Sequence, residues 1–390
     1  MSIFLAGLFC LISFVSLFFT AQLLLGQISS KRCCSKKISR EKAAIIIPAH
    51  NEEMGIEATL RGILTKTKAD DLVVVVADNC NDKTAELARS MGVMVVERFN
   101  TSEVGKGHAL QAGINHIEAL GNEWPTIVVM DADCTFESDA LDVLVSDSQS
   151  KQSVSQALYL MKSPNKQNVK LNISEFTWLI KNWIRPLGQK RMGISCHLQG
   201  SGMAFPKHIF AKYSLASSNI VEDLELGLNL VNGGEAILFN PAAVVISYFP
   251  ENEEGLDIQR KRWEHGHFSI ISRTPKVLLK AIMTMNYRLF MQALDAAIPP
   301  TVLWGVVLMA TTLTAAIASI WISSIWFYIL VLSVFALVVG LAISWFNFGR
   351  EILSFRQLKG MPLFVLSKFS IYSSFFTNRQ KKWVRTKRDD

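Results

Sequence analysis

The chain is short of charge. Only 19% of its 390 residues are Asp, Glu, Lys or Arg, half are apolar, and the mean hydropathy is +0.26. No charged residue occurs from Met1 to Ser30, and none from Ala296 to Gly349. So apolar a chain is not a disordered one. It is also short of paired cysteines. Cys10, Cys33, Cys34, Cys80, Cys134 and Cys196 form no C-x-x-C, which argues against a zinc ribbon or a dithiol redox site. No G-x-G-x-x-G follows its first apolar run, and Gly105-Lys106-Gly107 lacks the hydroxyl residue and spaced glycine of a P-loop. Dinucleotide and P-loop chemistries are therefore not expected. No zinc-finger or RRM pattern accompanies the net charge of +7, so nucleic acid is not an expected partner.

The charge-free blocks have the length of membrane spans. About 20 apolar residues cross a bilayer. Ile3 to Leu25 makes one span; Pro300 to Ile320 and Trp326 to Trp345 make two more, joined by a short turn. The first block lacks a basic start and a small-residue cleavage site, so it reads as a retained anchor rather than a signal peptide. Basic residues crowd two flanks: Lys31, Arg32, Lys36, Lys37, Arg40 and Lys42 after the first span, and Arg379 to Arg388 at the C-terminus. By the positive-inside rule the middle region and the C-terminus are cytoplasmic and the N-terminus is outside. The expectation is a multi-pass protein of the plasma (inner) membrane. Cys33-Cys34 then reads as a reduced pair. The segments 273–298 and 363–376 are apolar with scattered charge and suit helices lying at the bilayer surface.

The middle of the chain reads as α/β. Ala43–Pro48, Leu72–Asp78, Val93–Val96 and Ile127–Met130 are short β-branched runs, alternating with helical spacing at 54–64, 82–91 and 108–120. Unbroken apolar strands alternating with helices imply a mostly parallel sheet covered on both faces. Ligands of such folds gather at the C-terminal strand ends. Polar residues stand there each time: Pro48-Ala49-His50-Asn51-Glu52, Asp78-Asn79, and Asp131-Ala132-Asp133, with Gly105-Lys106-Gly107 after the third strand. Single acids in such loops commonly cap helices. Asp131 and Asp133, one residue apart after a buried strand, are a pair able to hold a hard divalent cation against substrate phosphates.

Five motifs follow one another along the chain: Ile47-Pro48-Ala49-His50-Asn51-Glu52 with Asp78, Asp131-Ala132-Asp133, Gly200-Ser201-Gly202, Val221-Glu222-Asp223, and Gln259-Arg260-Lys261-Arg262-Trp263, which fits Q-x-x-R-W. In this order they resemble the membrane-bound family 2 glycosyltransferases of the cellulose synthase, hyaluronan synthase and ceramide glucosyltransferase type. They cover about residues 43–268. The resemblance implies a GT-A fold and a nucleotide-sugar donor, UDP-linked. It implies that Pro48, His50, Asn51, Glu52, Asp78, Lys106 and Asp131 face the donor nucleotide. Asp133, with Asp131, would hold Mg2+ or Mn2+, and Asp223 would be the general base. Gly200, Ser201, Gly202, Glu222, Gln259, Arg262 and Trp263 would border acceptor and diphosphate.

The chemistry itself asks for such groups. A carboxylate taking a hydroxyl proton is worth roughly 10²–10⁴-fold. A cation on the leaving diphosphate adds several kcal/mol, and an arginine can grip phosphate oxygens in two places. One base opposite the leaving group implies inversion. Val221 stands where many members have Thr. Three spans are few for a polymer channel, which favours a lipid, lipid-linked or saccharide acceptor over processive synthesis. Polymer synthesis would require a homo-oligomer or polysaccharide-export partners. A glycoside hydrolase with paired carboxylates and a non-catalytic scaffold are the alternatives of other classes. The expected layout is an anchor (1–30), a catalytic domain (31–272), an interfacial helix (273–298), a transmembrane hairpin (299–349) and an interfacial helix with a basic tail (350–390).

Overall fold

The structure is a computed structural model that describes residues 2–28, 38–121, 123–377 and 379. Lys31, Arg32, Lys36, Lys37, the Cys33-Cys34 pair and the basic residues beyond 380 lie outside the described residues.

The chain begins with helix α1 (Ser2–Gly26). Then come β1 (Ala43–Ala49), α2 (Ile56–Leu64), β2 (Leu72–Asp78), α3 (Thr84–Ser90), β3 (Met94–Arg98), α4 (Lys106–Ala119) and β4 (Thr126–Val129). The two-residue β5 (Thr135–Phe136), α5 (Ala140–Lys151) and β6 (Val154–Lys162) follow. A helix then runs as α6 (Val169–Leu179), a π-helical turn (Ile180–Ile184) and α7 (Arg185–Arg191). β7 (Met203–Pro206), α8 (Glu222–Asn232), β8 (Ile237–Tyr248) and α9 (Glu253–Ile271) come next. The remainder is helical: α10 (Thr274–Met283), α11 (Tyr287–Ala296), α12 (Thr301–Ala318), α13 (Ile325–Ser344) and α14 (Met361–Thr377).

The contacts divide the chain into two units. One comprises Met1–Ser30, Lys166–Ile194 and His267–Ser373; the other comprises Lys31–Asn165, Ser195–Gly266 and Ser374–Asp390. Residues 166–194, inside the 31–272 stretch, group by contact with the first unit. Residues 166–194 fall with the apolar helices because their buried face is continuous with theirs. Ile173, Phe176, Leu179, Ile180 and Ile184 share one core with Phe19, Leu23, Leu294 and Trp304. The single interfacial helix expected over 273–298 is two helices, parted at Met285, whose φ is +51°.

Among the described residues of the first unit, three helices are long and apolar enough to cross a membrane: Ile3–Gly26, Thr301–Ala318 and Ile325–Gly349. These match the three blocks expected from the sequence. The unit also buries a polar knot. Arg185 donates through Nη2 to Asp295 Oδ1 (2.6 Å) and through Nε to Gln22 Oε1 (3.0 Å), and Gln22 Nε2 donates to the same Asp295 oxygen (2.6 Å). Each group supplies what another lacks, so α1, α7 and α11 are tied by satisfied hydrogen bonds.

The second unit is α/β. Its eight strands run in the order β3-β2-β1-β4-β7-β6-β8-β5. β1, β2, β3 and β4 are parallel, as their β-branched runs require, and β6 pairs parallel with β8. β7 runs antiparallel to both β4 and β6, and β5 to β8, so the sheet is mixed but mostly parallel. β1 and β4 are buried along nearly their whole length. Their polar continuations therefore emerge together at one edge, where β7 begins.

Candidate active site

Two asparagines turn the chain at the ends of β1 and β2. Asn51 (φ +55°) and Asn79 (φ +53°) both adopt the left-handed conformation, which Asn tolerates better than most residues. The two loops then lace together. His50 Nδ1 meets the Asp78 carbonyl at 2.7 Å, the Asn81 amide donates to Asn51 Oδ1 (2.9 Å), and the Glu52 amide donates to Thr84 Oγ1 (2.7 Å). Pro48 lies in β1 just before them. Asp78 is buried and ion-paired with Arg98 at 2.7 Å. The sequence reading did not single out Arg98. It stands at the end of β3, paired with Asp78 in register, which a strand alignment would have exposed.

Lys106 opens α4 and reaches across to β4. Gly107 permits this: a Cβ there would lie 2.4 Å from the Leu215 carbonyl oxygen, so only glycine lets the 214–219 loop close over the helix start. Gln111, one turn on, accepts from the Leu215 amide (2.8 Å) and secures that loop. Lys106 Nζ pairs with Asp131, donates to the Gly200 carbonyl (2.7 Å) and lies 3.9 Å from Glu222.

The glycine-serine-glycine loop fits beneath Asp131. Ser201 Oγ accepts the Asp131 amide at 3.1 Å. Gln156, buried in β6, donates to the Ser201 carbonyl (2.9 Å). Gly202 has φ +66° and would place a Cβ 2.8 Å from Ala157 and Val245, so a side chain there meets both strain and a clash. From Gly200 a Cβ would point between two functional groups, 3.4 Å from Asp223 Oδ2 and 3.6 Å from Lys106 Nζ. Thus Lys106, Asp131, Gly200, Glu222 and Asp223, drawn from four separate motifs, meet at one point. Asp223 Oδ1 accepts the Leu224 amide at 2.8 Å, and both acids occupy the first turn of α8, where the helix dipole favours negative charge.

This crowding of acids perturbs titration. Burial pushes Glu222 up to about 7; Lys106 opposes this and Asp223 adds to it. Burial also raises the Asp131 carboxyl, against the pull of Lys106 and with the push of Asp133 and Asp223. Burial disfavours the Lys106 ammonium, but Asp131, Glu222 and Asp223 outweigh it and keep the ammonium charged.

Asp131, Asp133 and Cys134 place ligand atoms within 4.8 Å of one another. Cys134 was not foreseen. Its thiol donates to Asp133 (3.4 Å), and burial, with the charges of Asp133 and Asp131, pushes it well above the usual thiol range. A thiol held protonated is a poor ligand, which leaves two carboxylates. Such an oxygen donor set fits a hard divalent cation that takes its other oxygens from a diphosphate.

α9 carries the last motif. Gln259, Arg262, Trp263 and Gly266 fall at i, i+3, i+4 and i+7, hence on one face. A Cβ on Gly266 would lie 2.4 Å from Val221 Cγ1, so this face packs tightly against the residue preceding Glu222 and Asp223. His265 and His267 take different partners, the Ser374 hydroxyl (3.2 Å) and the Ile298 carbonyl (3.1 Å).

The sequence model of a family described as "Glycosyltransferase like family 2" matches residues 41–266. A probable glycosyltransferase, YdaM, of Bacillus subtilis strain 168 is 26% identical over 240 residues, covering 59% of this chain and 56% of its own. A 4,4'-diaponeurosporenoate glycosyltransferase of Staphylococcus aureus strain bovine RF122 / ET3-1 is 36% identical over 115 residues, 28% of this chain and 29% of its own. The chain therefore spans about half the length of the first relative and less than a third of the second. Among solved structures, the mannosyltransferase PcManGT from Pyrobaculum calidifontis, in complex with GDP-Man and Mn2+, shares the fold. Its TM-score is 0.56 at 15% identity, over 95% of this chain and 100% of that one.

Proposed function

The chain belongs to the glycosyltransferase like family 2, and on that footing we propose that it moves a sugar from a nucleotide-diphosphate sugar to a membrane-associated acceptor, with inversion. One observation carries the reading: Asp223 Oδ2 and Lys106 Nζ flank the same space above Gly200, beside the Asp131-Ala132-Asp133 turn. A proton acceptor, a phosphate-seeking cation and a carboxylate pair are what displacement of a nucleoside diphosphate needs.

The roles divide as follows. His50, Asn51, Glu52 and the Asp78–Arg98 pair frame the nucleotide. Asp133 and Asp131 would hold Mg2+ or Mn2+, which when bound supplies Lewis-acid stabilisation of the departing diphosphate. Lys106 and Arg262 take phosphate oxygens. Asp223 Oδ2 accepts the proton of the acceptor hydroxyl, while its Oδ1 stays fixed on the Leu224 amide. Gly200 adds no side chain where the acceptor must approach. Gln259 and Trp263 line the acceptor side from α9.

Support for a membrane acceptor comes from the three helices, among the described residues, that are long and apolar enough to cross a bilayer. The relative from S. aureus is named for 4,4'-diaponeurosporenoate and the solved neighbour is a mannosyltransferase bound to GDP-Man and Mn2+, so both UDP- and GDP-linked donors belong in the test. A single base acting opposite the leaving group gives one displacement. An α-linked donor must yield a β-linked product, read by NMR of the anomeric proton. An α-linked product would refute the inverting mechanism.

A further inference from the structure

Lys106 holds a position that needs explaining before any donor arrives. Its ammonium takes three oxygens of the kinds that ligate cations: a carboxylate of Asp131, the Gly200 carbonyl at 2.7 Å, and Glu222 Oε1 at 3.9 Å. Asp131 is also one of the two carboxylates suited to a divalent ion. A single oxygen pair thus has two claimants.

We propose that Lys106 is an internal counter-ion that stands in for the divalent cation in the donor-free site and makes metal and nucleotide sugar enter together. The inference rests on the donor and metal reading above.

Electrostatics favours the exchange in one order. A bare divalent ion approaching Asp131 meets a positive charge already hydrogen-bonded to that carboxylate. Like charges at such separations repel strongly in a half-buried site. The ion must either tolerate the ammonium or displace it, and in the donor-free site Lys106 has no better anion to take. A diphosphate changes that. Its oxygens give the ammonium a new partner, and they complete the oxygen shell that a hard cation wants. Lys106 is the first residue of α4, so its reach is set by a fixed helix start, with the 214–219 loop packed on Gly107 behind it. Its Nζ can exchange partners without unfolding anything. Metal and donor then assist each other, and the coupling is reciprocal.

The test is Mn2+ binding, followed by electron paramagnetic resonance on the purified full chain, with and without UDP, and in a second arm GDP. Wild type should bind Mn2+ weakly alone and much more tightly with the nucleotide. Lys106→Gln should bind Mn2+ alone about tenfold more tightly than wild type, because one competing charge is gone. The nucleotide should then improve its Mn2+ affinity by a smaller factor. Lys106→Arg, which keeps the charge, should behave as wild type. Lys106→Met replaces Lys106→Gln if that variant does not fold.

Unchanged or weaker Mn2+ binding by Lys106→Gln, in a protein whose nucleotide-dependent Mn2+ binding is lost in Asp133→Asn, overturns this inference and leaves the metal reading intact. No Asp133-dependent Mn2+ binding with either nucleotide overturns the metal reading and this inference with it.

Discussion

Glu222 shows how much one carboxyl can report. Burial lifts it to about 7, Lys106 pulls it down and Asp223 pushes it up. A carboxyl raised on folding favours the folded state only while it is protonated. Its contribution is complete below the ordinary glutamate range and is lost as pH rises through about 7. Metal-free protein in EDTA should therefore show a thermal midpoint that falls between about pH 5 and about pH 8. Glu222→Gln should flatten that fall; an equal slope in both proteins would show that Glu222 does not titrate there. At this scale the sequence was informative where residues carry motif chemistry. Asp131, Glu222, Asp223, Gly200 and Lys106 were all named in advance and the fold brings them together. Arg98 was not, and Cys134 was counted only among the cysteines that form no C-x-x-C. Each acts through a neighbour in space, Asp78 across a strand pair and Asp133 beneath a turn, and side-chain direction within a turn leaves no periodic trace.

Elements were legible in proportion to their periodicity. The first four strands and three intervening helices alternate as their apolar runs demand: β1, β2 and β4 are buried nearly throughout, and the edge strand β3 is half-buried. The helix over 169–191 was missed. It is interrupted by a π-helical turn and keeps polar Asn172, Glu175, Asn182, Arg185 and Gln189 buried, so no clean apolar stripe marks it. Its Arg185 is what ties it to α1 and α11. Replacing Arg185 with Met leaves Asp295 buried without its ion partner, which costs about 3–5 kcal/mol. The thermal midpoint in detergent should drop by several degrees. Adding Asp295→Leu should recover most of the loss, as a coupled pair does in a double-mutant cycle. If the double variant is as unstable as the two single losses summed, the two residues do not act as a pair.

At the scale of the whole molecule, low charge separates by region. The charge-free blocks are α1, α12 and α13, and the charged residues lie between and after them. Basic residues follow the first apolar helix and recur over Arg379–Arg388, and the 319–324 turn between α12 and α13 carries none. The positive-inside rule then predicts an external N-terminus and 319–324 turn, with residues 38–266 and the C-terminus cytoplasmic. Single cysteines placed at positions 2, 323 and 390 of a cysteine-free variant report this. In intact cells an impermeant maleimide should label the first two and spare the third. Labelling of the C-terminal cysteine would instead require a further crossing, for which α14 (17 residues) is the available helix. The 166–194 segment groups by contact with the apolar helices rather than with its neighbours in the chain, and chain order alone carries no trace of that.

The central claim is that Asp223 removes a hydroxyl proton while a divalent-bound nucleotide diphosphate leaves. Membranes containing the protein, a panel of UDP- and GDP-sugars, Mn2+ and native lipid extract should yield a product heavier by one sugar residue, identified by mass. EDTA should abolish it, and Asp223→Asn should lower its rate by roughly 10²–10⁴-fold. Transfer that persists in EDTA, or that Asp223→Asn leaves at the wild-type rate, would contradict the account.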